Sequence, residues 1–323
     1  MDGGVTLDMP EPLREALARE VEGVPFPELA ETVRRLRDAY RSELVHQTPR
    51  LDSPVEALAY AAYRMPGTYA AVRAALGRTT ATIPALHPRR ALDVGGGTGA
   101  GAWALAETWP ELETVMIQDR SVAVAALGER MAASRSGSAT FRWQTGPSSD
   151  RVDVAMASYL LGELAPPERA RLLEHIFGRA DTVVVVEPGT TAGYRRILAA
   201  RAQMIGAGLS IAAPCPHEHE CPLAGHDWCH FAARFSRSST LRRLKGAEHG
   251  HDDEKFSYVV GTRLAATPAD ARIIRHPQKR GGLVILQLCD GDGTAHPVTV
   301  SKRHGDSYRR ARDSRWGDPW TNP

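Results

Sequence analysis

ALDVGGGTGAGAWALAETWP, residues 91–110, is the stretch on which the fold turns. Ala91 to Val94 read as a short buried strand. Gly95, Gly96, Gly97 and Gly99 follow as a turn in which side chains would block a ligand. Residues 100–108, small and apolar, read as a helix. A strand, a Gly-rich turn and a helix make the opening unit of a doubly wound sheet, with its ligand at the carboxyl end of the strand. Asp93 sits inside the strand end, where it can fix the turn or approach the ligand.

Working outward, Thr114 to Gln118 reads as the next strand and ends in Asp119, twenty residues beyond Gly99. An acid at that place commonly accepts hydrogen bonds from both ribose hydroxyls of a nucleotide. Val152 to Ala157 reads as a further strand, with Ser158 at its end and a helix opening at PPERARLLEHIF, where the two prolines suit a helix start. Thr182 to Val186 is a β-branched run of the kind covered on both faces, and Glu187 follows it. FSYVVG and GGLVILQLC then supply late antiparallel strands of the same sheet. The expected cofactor contacts are Asp93, Gly95, Gly97, Gly99, Asp119 and Ser158. Either a dinucleotide or S-adenosylmethionine suits such a unit. The form Asp93-Val-Gly95-Gly-Gly97-Thr-Gly99 resembles that of S-adenosylmethionine-binding proteins more than that of NAD enzymes.

All four cysteines lie in the last third: Cys215, Cys221 and Cys229 in APCPHEHECPLAGHDWCHF, and Cys289 sixty residues on. Thiols used as small apolar fillers would not be distributed this way. Four thiolates can enclose one metal centre, and a stretch rich in Pro and His builds little core alone. Structural zinc prefers tight C-x2-C pairs, and none is present. Loops of five and seven residues with a remote fourth ligand also suit an iron–sulfur cube. From spacing alone zinc, an iron–sulfur cluster and no metal all stay open. The opening MDGGVTLDMPEPLREALARE lacks a basic start and an apolar run. That reads as a reducing compartment and a cytoplasmic place, where disulfides are disfavoured. The nearby His217, His219, His226 and His230 read as solvated or supporting groups.

The net charge of +2 hides an asymmetry. Residues 1–50 carry seven Arg and ten acids, whereas 272–316 carry ten Lys/Arg against four Asp. Arg234, Arg237, Arg242, Arg243 and Lys245 stand in a stretch with no acid. With Lys302 and Arg303 they form the expected RNA-binding set, since Arg forks onto phosphates. An ordinary solvated surface would carry a similar bias. No apolar run is long enough to span a bilayer, so no membrane partner is expected. The amino-terminal segment reads as amphipathic helix, notably PELAETVRRLRDAYRSEL. Ser53-Pro54-Val55-Glu56 caps a further helix, in which Tyr60, Tyr63, Arg64 and Tyr69 gather around a Pro66-Gly67 break; it reads as a kinked helix covering the sheet, with Tyr63 and Arg64 facing the cofactor or RNA as the alternative.

Several segments together are similar to one family. YAAYRMPGTYAAV, LDVGGGTGAG, VVEPGT, CPHEHECP with WCHF, HDDEKFSYVV and the closing KRGGLVILQLCDGDG with VSKRHGDSYRRARDSRWGDPW resemble the methyltransferase-like proteins of the mitochondrial small ribosomal subunit and their bacterial relatives. The resemblance covers roughly residues 54–320. It implies a class I Rossmann-like, S-adenosylmethionine-binding methyltransferase fold (α/β) with amino-terminal helices and a carboxyl-terminal cysteine-rich iron–sulfur insertion. It also implies a [4Fe–4S] cluster on Cys215, Cys221, Cys229 and Cys289. The partners it implies are the small-subunit rRNA and its precursors, in ribosome assembly and translation, with the chain monomeric off the ribosome.

The expected division is a helical region 1–85, a methyltransferase core 86–210, a cysteine-rich metal-binding insertion 211–255, and late core strands with a basic extension 256–323. No catalytic residue is assigned. The turn after the fourth strand lacks the Asn/Asp-Pro-Pro-aromatic motif of amino methyltransferases and has no cysteine nucleophile. Glu163 and Glu187, the acids near the pocket, read as shaping it. Cofactor binding is therefore better supported than turnover, and rRNA methylation stays open. The competing reading is a small-molecule S-adenosylmethionine-dependent methyltransferase with a structural zinc site.

Overall fold

A computed structural model describes residues 6–41, 51–147 and 149–321. Two amphipathic helices, α1 (Glu11–Glu22) and α2 (Phe26–Arg41), open it. The last three residues of the PELAETVRRLRDAYRSEL run, 42–44, lie outside the described residues. The long α3 (Pro54–Thr82) begins in a capping box: Ser53 Oγ accepts from the Glu56 N–H while the Glu56 carboxylate accepts from the Ser53 N–H. It continues as one helix through Pro66 and Gly67. Pro66 costs α3 only the bond that would have gone to the Ala62 carbonyl.

The core follows as β1 (Arg90–Val94), α4 (Ala100–Thr108), β2 (Thr114–Gln118), α5 (Val122–Ala132), β3 (Thr140–Gln144), β4 (Val152–Ser158), α6 (Pro166–Phe177), β5 (Ala180–Pro188), α7 (Thr191–Gly206) and β6 (Ser210–Ala213). After the cysteine-bearing loop come β7 (Phe231–Ser236), α8 (Ser239–Lys245) and β8 (His251–Thr262). The strand order is β3-β2-β1-β4-β5-β8-β6, with β1 to β5 parallel and β8 antiparallel to β5 and β6. This is a doubly wound, Rossmann-like α/β sheet, closed by one reversed strand. β8 is long enough to serve twice: its second half pairs with β6 and its first half with β7.

Pleating explains the valine run of β5. Val183 and Val185 join the apolar layer of α6 and α7, while Val184 and Val186 join the layer of α3 and α4 on the other face. A strand covered on both sides can spare no position for polar residues except where two meet. Thr182 and Thr262, opposite each other on β5 and β8, share a hydrogen bond of 2.8 Å.

The remaining residues form a second sheet: β9 (Ala271–Ile273), β10 (Gln278–Arg280), β11 (Leu283–Asp290), β12 (Ala295–Ser301) and β13 (Pro319–Trp320), with α9 (Asp306–Asp313) packed on it. This corrects one expectation. GGLVILQLC is a strand, but it pairs with β9, β10 and β12 and not with the core sheet. Its alternation builds a small core of its own, with Val284, Leu286 and Leu288 facing Ile273 and Trp320. Among the described residues no helix is long and apolar enough to cross a membrane.

Candidate cofactor pocket and thiol centre

The Gly-rich turn works as a backbone cradle. The N–H groups of Gly95 and Gly96 donate to the Gln118 carbonyl at 2.7 and 3.2 Å, tying β1 to β2. The Asp119 carboxylate then bridges two loops: Oδ2 accepts from the Gly97 N–H at 3.0 Å and Oδ1 from the Ser121 N–H at 2.9 Å. Gly95 and Gly97 adopt φ of +67° and +57°, the left-handed region that favours glycine. A cavity of about 500 Å³ opens above them at the carboxyl ends of β1, β2 and β4.

Of the expected contacts, Gly95, Gly97, Asp119 and Ser158 line this cavity, and Asp93 and Gly99 do not. Asp93 is fully buried beneath the turn: a Cβ on Gly96 or Gly101 would stand 2.6 or 2.5 Å from its Oδ2. Burial, with Asp119 adding, raises its pKa to about 8, and the Ala102 N–H at the start of α4 pulls the other way. Neither of its carboxylate oxygens has a hydrogen-bond partner among the described residues. Gly99 caps α4 at φ +93°, with the Trp143 ring packed against it.

Other lining residues escaped the sequence reading. Tyr60 reaches in from α3, and Arg120, Tyr159 and Leu160 from the loops after β2 and β4. Tyr159 holds φ +56°, which is costly for a side chain of this size. Its hydroxyl donates to Glu254 Oε1 at 3.0 Å, Arg64 pairs with the same oxygen at 3.2 Å, and the Arg64 guanidinium lies 5.3 Å from the Tyr159 ring centre. Gly67 makes room for this, since a Cβ there would meet Glu254 Oε2 at 2.7 Å. The motif residues of YAAYRMPG and HDDEKF thus meet at the pocket rim.

The two acids divide. Glu187 is fully buried, accepts from the Leu161 N–H at 2.9 Å and pairs with Arg196, so it is committed to structure. Glu163 faces the cavity. Burial raises its pKa to about 7 against the pull of Arg120, with Asp119 and Glu187 adding to the rise.

Some way off, the loop between β6 and β7 brings Cys215, Cys221 and Cys229 to one small cavity of about 40 Å³, and β11 brings Cys289 to the same place. All four thiols are free. Burial raises the pKa of each of Cys215, Cys229 and Cys289, the last to about 12, and in each case the neighbouring cysteines add to the rise. His217 Nε2 stands 3.4 Å from Cys289 Sγ, and the Tyr194 hydroxyl 3.1 Å from Cys221 Sγ. Among the described residues no group of three or more His, Cys, Asp or Glu is set to hold a single metal ion. Four free thiols facing one cavity are a donor set that a thiolate-bound cationic core fits.

The expected RNA-binding residues separate into paired and unpaired. Arg234 forks onto Asp253 at 2.8 Å, Arg237 pairs with Asp252 at 3.1 Å, and Lys245 also pairs with Asp252. Burial pushes the Asp252 carboxyl up, but Lys245 and Arg237 outweigh it and hold it below its usual value. Arg243 stacks 3.7 Å from the Phe26 ring centre. Arg242, Lys302 and Arg303 are exposed and make no ion pair among the described residues. β10 adds exposed Lys279 and Arg280 on the other side of Leu283 from Ser301, so four cations and His304 crowd one end of the second sheet.

Comparison with known proteins follows this geometry. The model of the mitochondrial small ribosomal subunit family Rsm22 matches residues 54–321. The human mitochondrial ribosome assembly protein METTL17 is 33% identical over 335 aligned positions, covering 94% of this chain and 72% of that protein. The mitochondrial Rsm22-cox11 tandem protein 2 of Schizosaccharomyces pombe is 28% identical over 179 residues, 42% of this chain and 24% of its own length. An O-methyltransferase family protein from Burkholderia thailandensis superposes with a TM-score of 0.44 at 12% identity, covering 79% of this chain and 72% of that one, too loose a likeness to bear on the site. These matches overturn the cytoplasmic expectation, because the family and both named relatives are mitochondrial. That expectation rested on the first twenty residues, of which 1–5 lie outside the described residues.

Proposed function

We propose a function from one premise: this chain belongs to the Rsm22 family. It is a methyltransferase-like factor in assembly of the small ribosomal subunit. It holds S-adenosylmethionine in the cavity above the Gly-rich turn, holds a [4Fe–4S] cluster on Cys215, Cys221, Cys229 and Cys289, and contacts small-subunit rRNA.

The observation that carries this reading is the meeting at one cavity of three free thiols from the loop after β6 with a fourth from β11 of the second sheet. Three come from a loop poor in apolar residues, and the fourth lies on the face of β11 opposite its apolar row Val284, Leu286 and Leu288. The cluster would supply cross-linking, joining the loop to β11 much as structural metals stabilise domains with too little core.

In the pocket, Gly95 and Gly97 bring bare backbone to the ligand, and Asp119, held by two backbone donors, keeps lone pairs for ribose hydroxyls. Ser158 and Tyr159 close the side nearest β4. Glu163, with a pKa of about 7, can hold or release a proton at the cavity wall. Asp119 and Glu187 are both committed to backbone donors, which supports cofactor holding more than turnover.

RNA contact is assigned to the unpaired cations Arg242, Lys279, Arg280, Lys302 and Arg303. Arg234, Arg237 and Lys245 already answer Asp252 and Asp253, and would hold the β7–β8 hairpin in shape. Co-sedimentation of the purified chain with small-subunit precursors tests this. Binding is expected at low salt, falling steeply as salt rises. A Lys302→Ala/Arg303→Ala variant is expected to have a shallower log–log salt slope, by about 0.7 to 0.9 for each phosphate it no longer neutralises. No co-sedimentation at low salt contradicts the function. Binding with an unchanged slope in the variant contradicts the surface alone.

A further inference from the structure

Two arginines flank the thiol cavity and do not answer to any acid among the described residues. Arg201, from α7, is 6% exposed, and Arg272, from β9, is 3% exposed. Both line the cavity together with the four cysteines. Arg201 Nη2 donates to the His217 carbonyl at 2.7 Å, and its Nε has no acceptor. Arg272 donates to the Pro214 carbonyl at 2.9 Å and the Gly317 carbonyl at 3.2 Å. Their neighbours do otherwise: Arg275 pairs with Asp227, and Arg196 with Glu187.

A guanidinium keeps its proton, so burial does not remove its charge. Two uncompensated cations in a dry site are costly unless an anion joins them. Burial already depresses the Arg272 pKa. Neutral thiols supply no anion. Four thiolates around a doubly positive cluster core leave a dianion, which two guanidiniums cancel.

We propose that Arg201 and Arg272 are the built-in counter-charges of the thiolate centre, fixing its charge state and raising its reduction potential. The proposal rests on the cluster reading above. The two arginines are positioning residues: they act on the centre through its ligands, Arg201 against Cys215 and Arg272 through the Pro214 carbonyl beside it. A thiolate can only accept, so with the sulfurs ionised the Tyr194 hydroxyl, 3.1 Å from Cys221 Sγ, and His217 Nε2, 3.4 Å from Cys289 Sγ, would act as donors and work in the same direction.

The test uses the full chain, purified anaerobically with its centre, as wild type and as Arg201→Gln, Arg272→Gln, Arg201→Lys and Arg272→Lys. The readouts are the midpoint potential by spectroscopic titration and the rate of iron release to a chelator. Each Gln variant is expected to titrate at a more negative potential and to release iron roughly 10- to 100-fold faster. The Lys variants keep the charge and are expected to stay near wild type. Unchanged potential and release in the Gln variants overturns the proposal, and so do Lys variants that behave like Gln. If one Gln variant does not fold, the Gln variant of the other arginine decides by the same two readouts. A wild-type chain that carries zinc refutes the cluster reading, and the counter-charges are then judged by zinc release in the same variants.

Discussion

Asp93 shows what a motif tells and what it conceals. The sequence places an acid at the strand end, and the choice between fixing the turn and touching the ligand depends on which way one side chain leans. Gly96 and Gly101 decide it, because their missing side chains leave the space that the carboxylate fills. The consequence is a testable pH effect. With its pKa raised from 3.8 to about 8, the folded chain keeps a proton that the unfolded chain releases. This contribution to stability is complete below pH 4 and is lost as pH rises through about 8. Asp93→Asn has no such loss. The variant is expected to gain on the parent between pH 5 and pH 8 by several kcal/mol, at about 1.4 per pKa unit. Urea midpoints at the two pH values measure this, and a constant difference would show that Asp93 is ionised in the fold. Tyr159 marks the opposite limit: nothing local announces its φ of +56°, which depends on Glu254 reaching it from β8.

At the scale of elements, what was legible was periodicity, and what was not was pairing. TVVVV and GGLVILQLC are both plain as strands. One lies at the centre of the large sheet and the other in a separate sheet, because strand partners are chosen across long stretches of chain. Pro66 shows a related limit: a local breaker signal does not end a helix whose buried residues run from Ala57 to Thr82. The β5–α7 corner gives a sharp prediction. A Cβ on Gly193 would lie 2.0 Å from the Pro188 carbonyl oxygen, a backbone atom that cannot swing away. Gly193→Ala is expected to destabilise the chain by about 1–3 kcal/mol or more, and to disturb the adjacent Tyr194 and its bond to Cys221. Gly206, at the other end of α7, has open space around it, so Gly206→Ala is expected to be neutral or to stabilise by up to ~1 kcal/mol. Thermal melts of the two variants compare them directly, and equal effects at the two positions would show that the Pro188 contact carries no cost.

Across the whole molecule, the cysteine spacing and the motif resemblance carried furthest. The spacing required that a remote strand return to the loop, and Cys289 does stand with the other thiols. The charge bias carried less far. It flagged the basic stretches but did not separate cations already answered by Asp252 and Asp253 from those left to solvent, since ion pairing is a tertiary property. The molecule that results is two sheets sharing one thiol cavity, with the nucleotide-type pocket on the larger and the densest unpaired charge on the smaller. Its central claim is that this cavity holds iron and sulfide. Assay of iron, acid-labile sulfide and zinc on one anaerobic preparation, in parent and Cys289→Ser chains, tests it most directly. The account predicts iron and sulfide in equal amounts with no zinc in the parent, and loss of both in the variant. Zinc or no metal in the parent, or full retention of iron without Cys289, would contradict it.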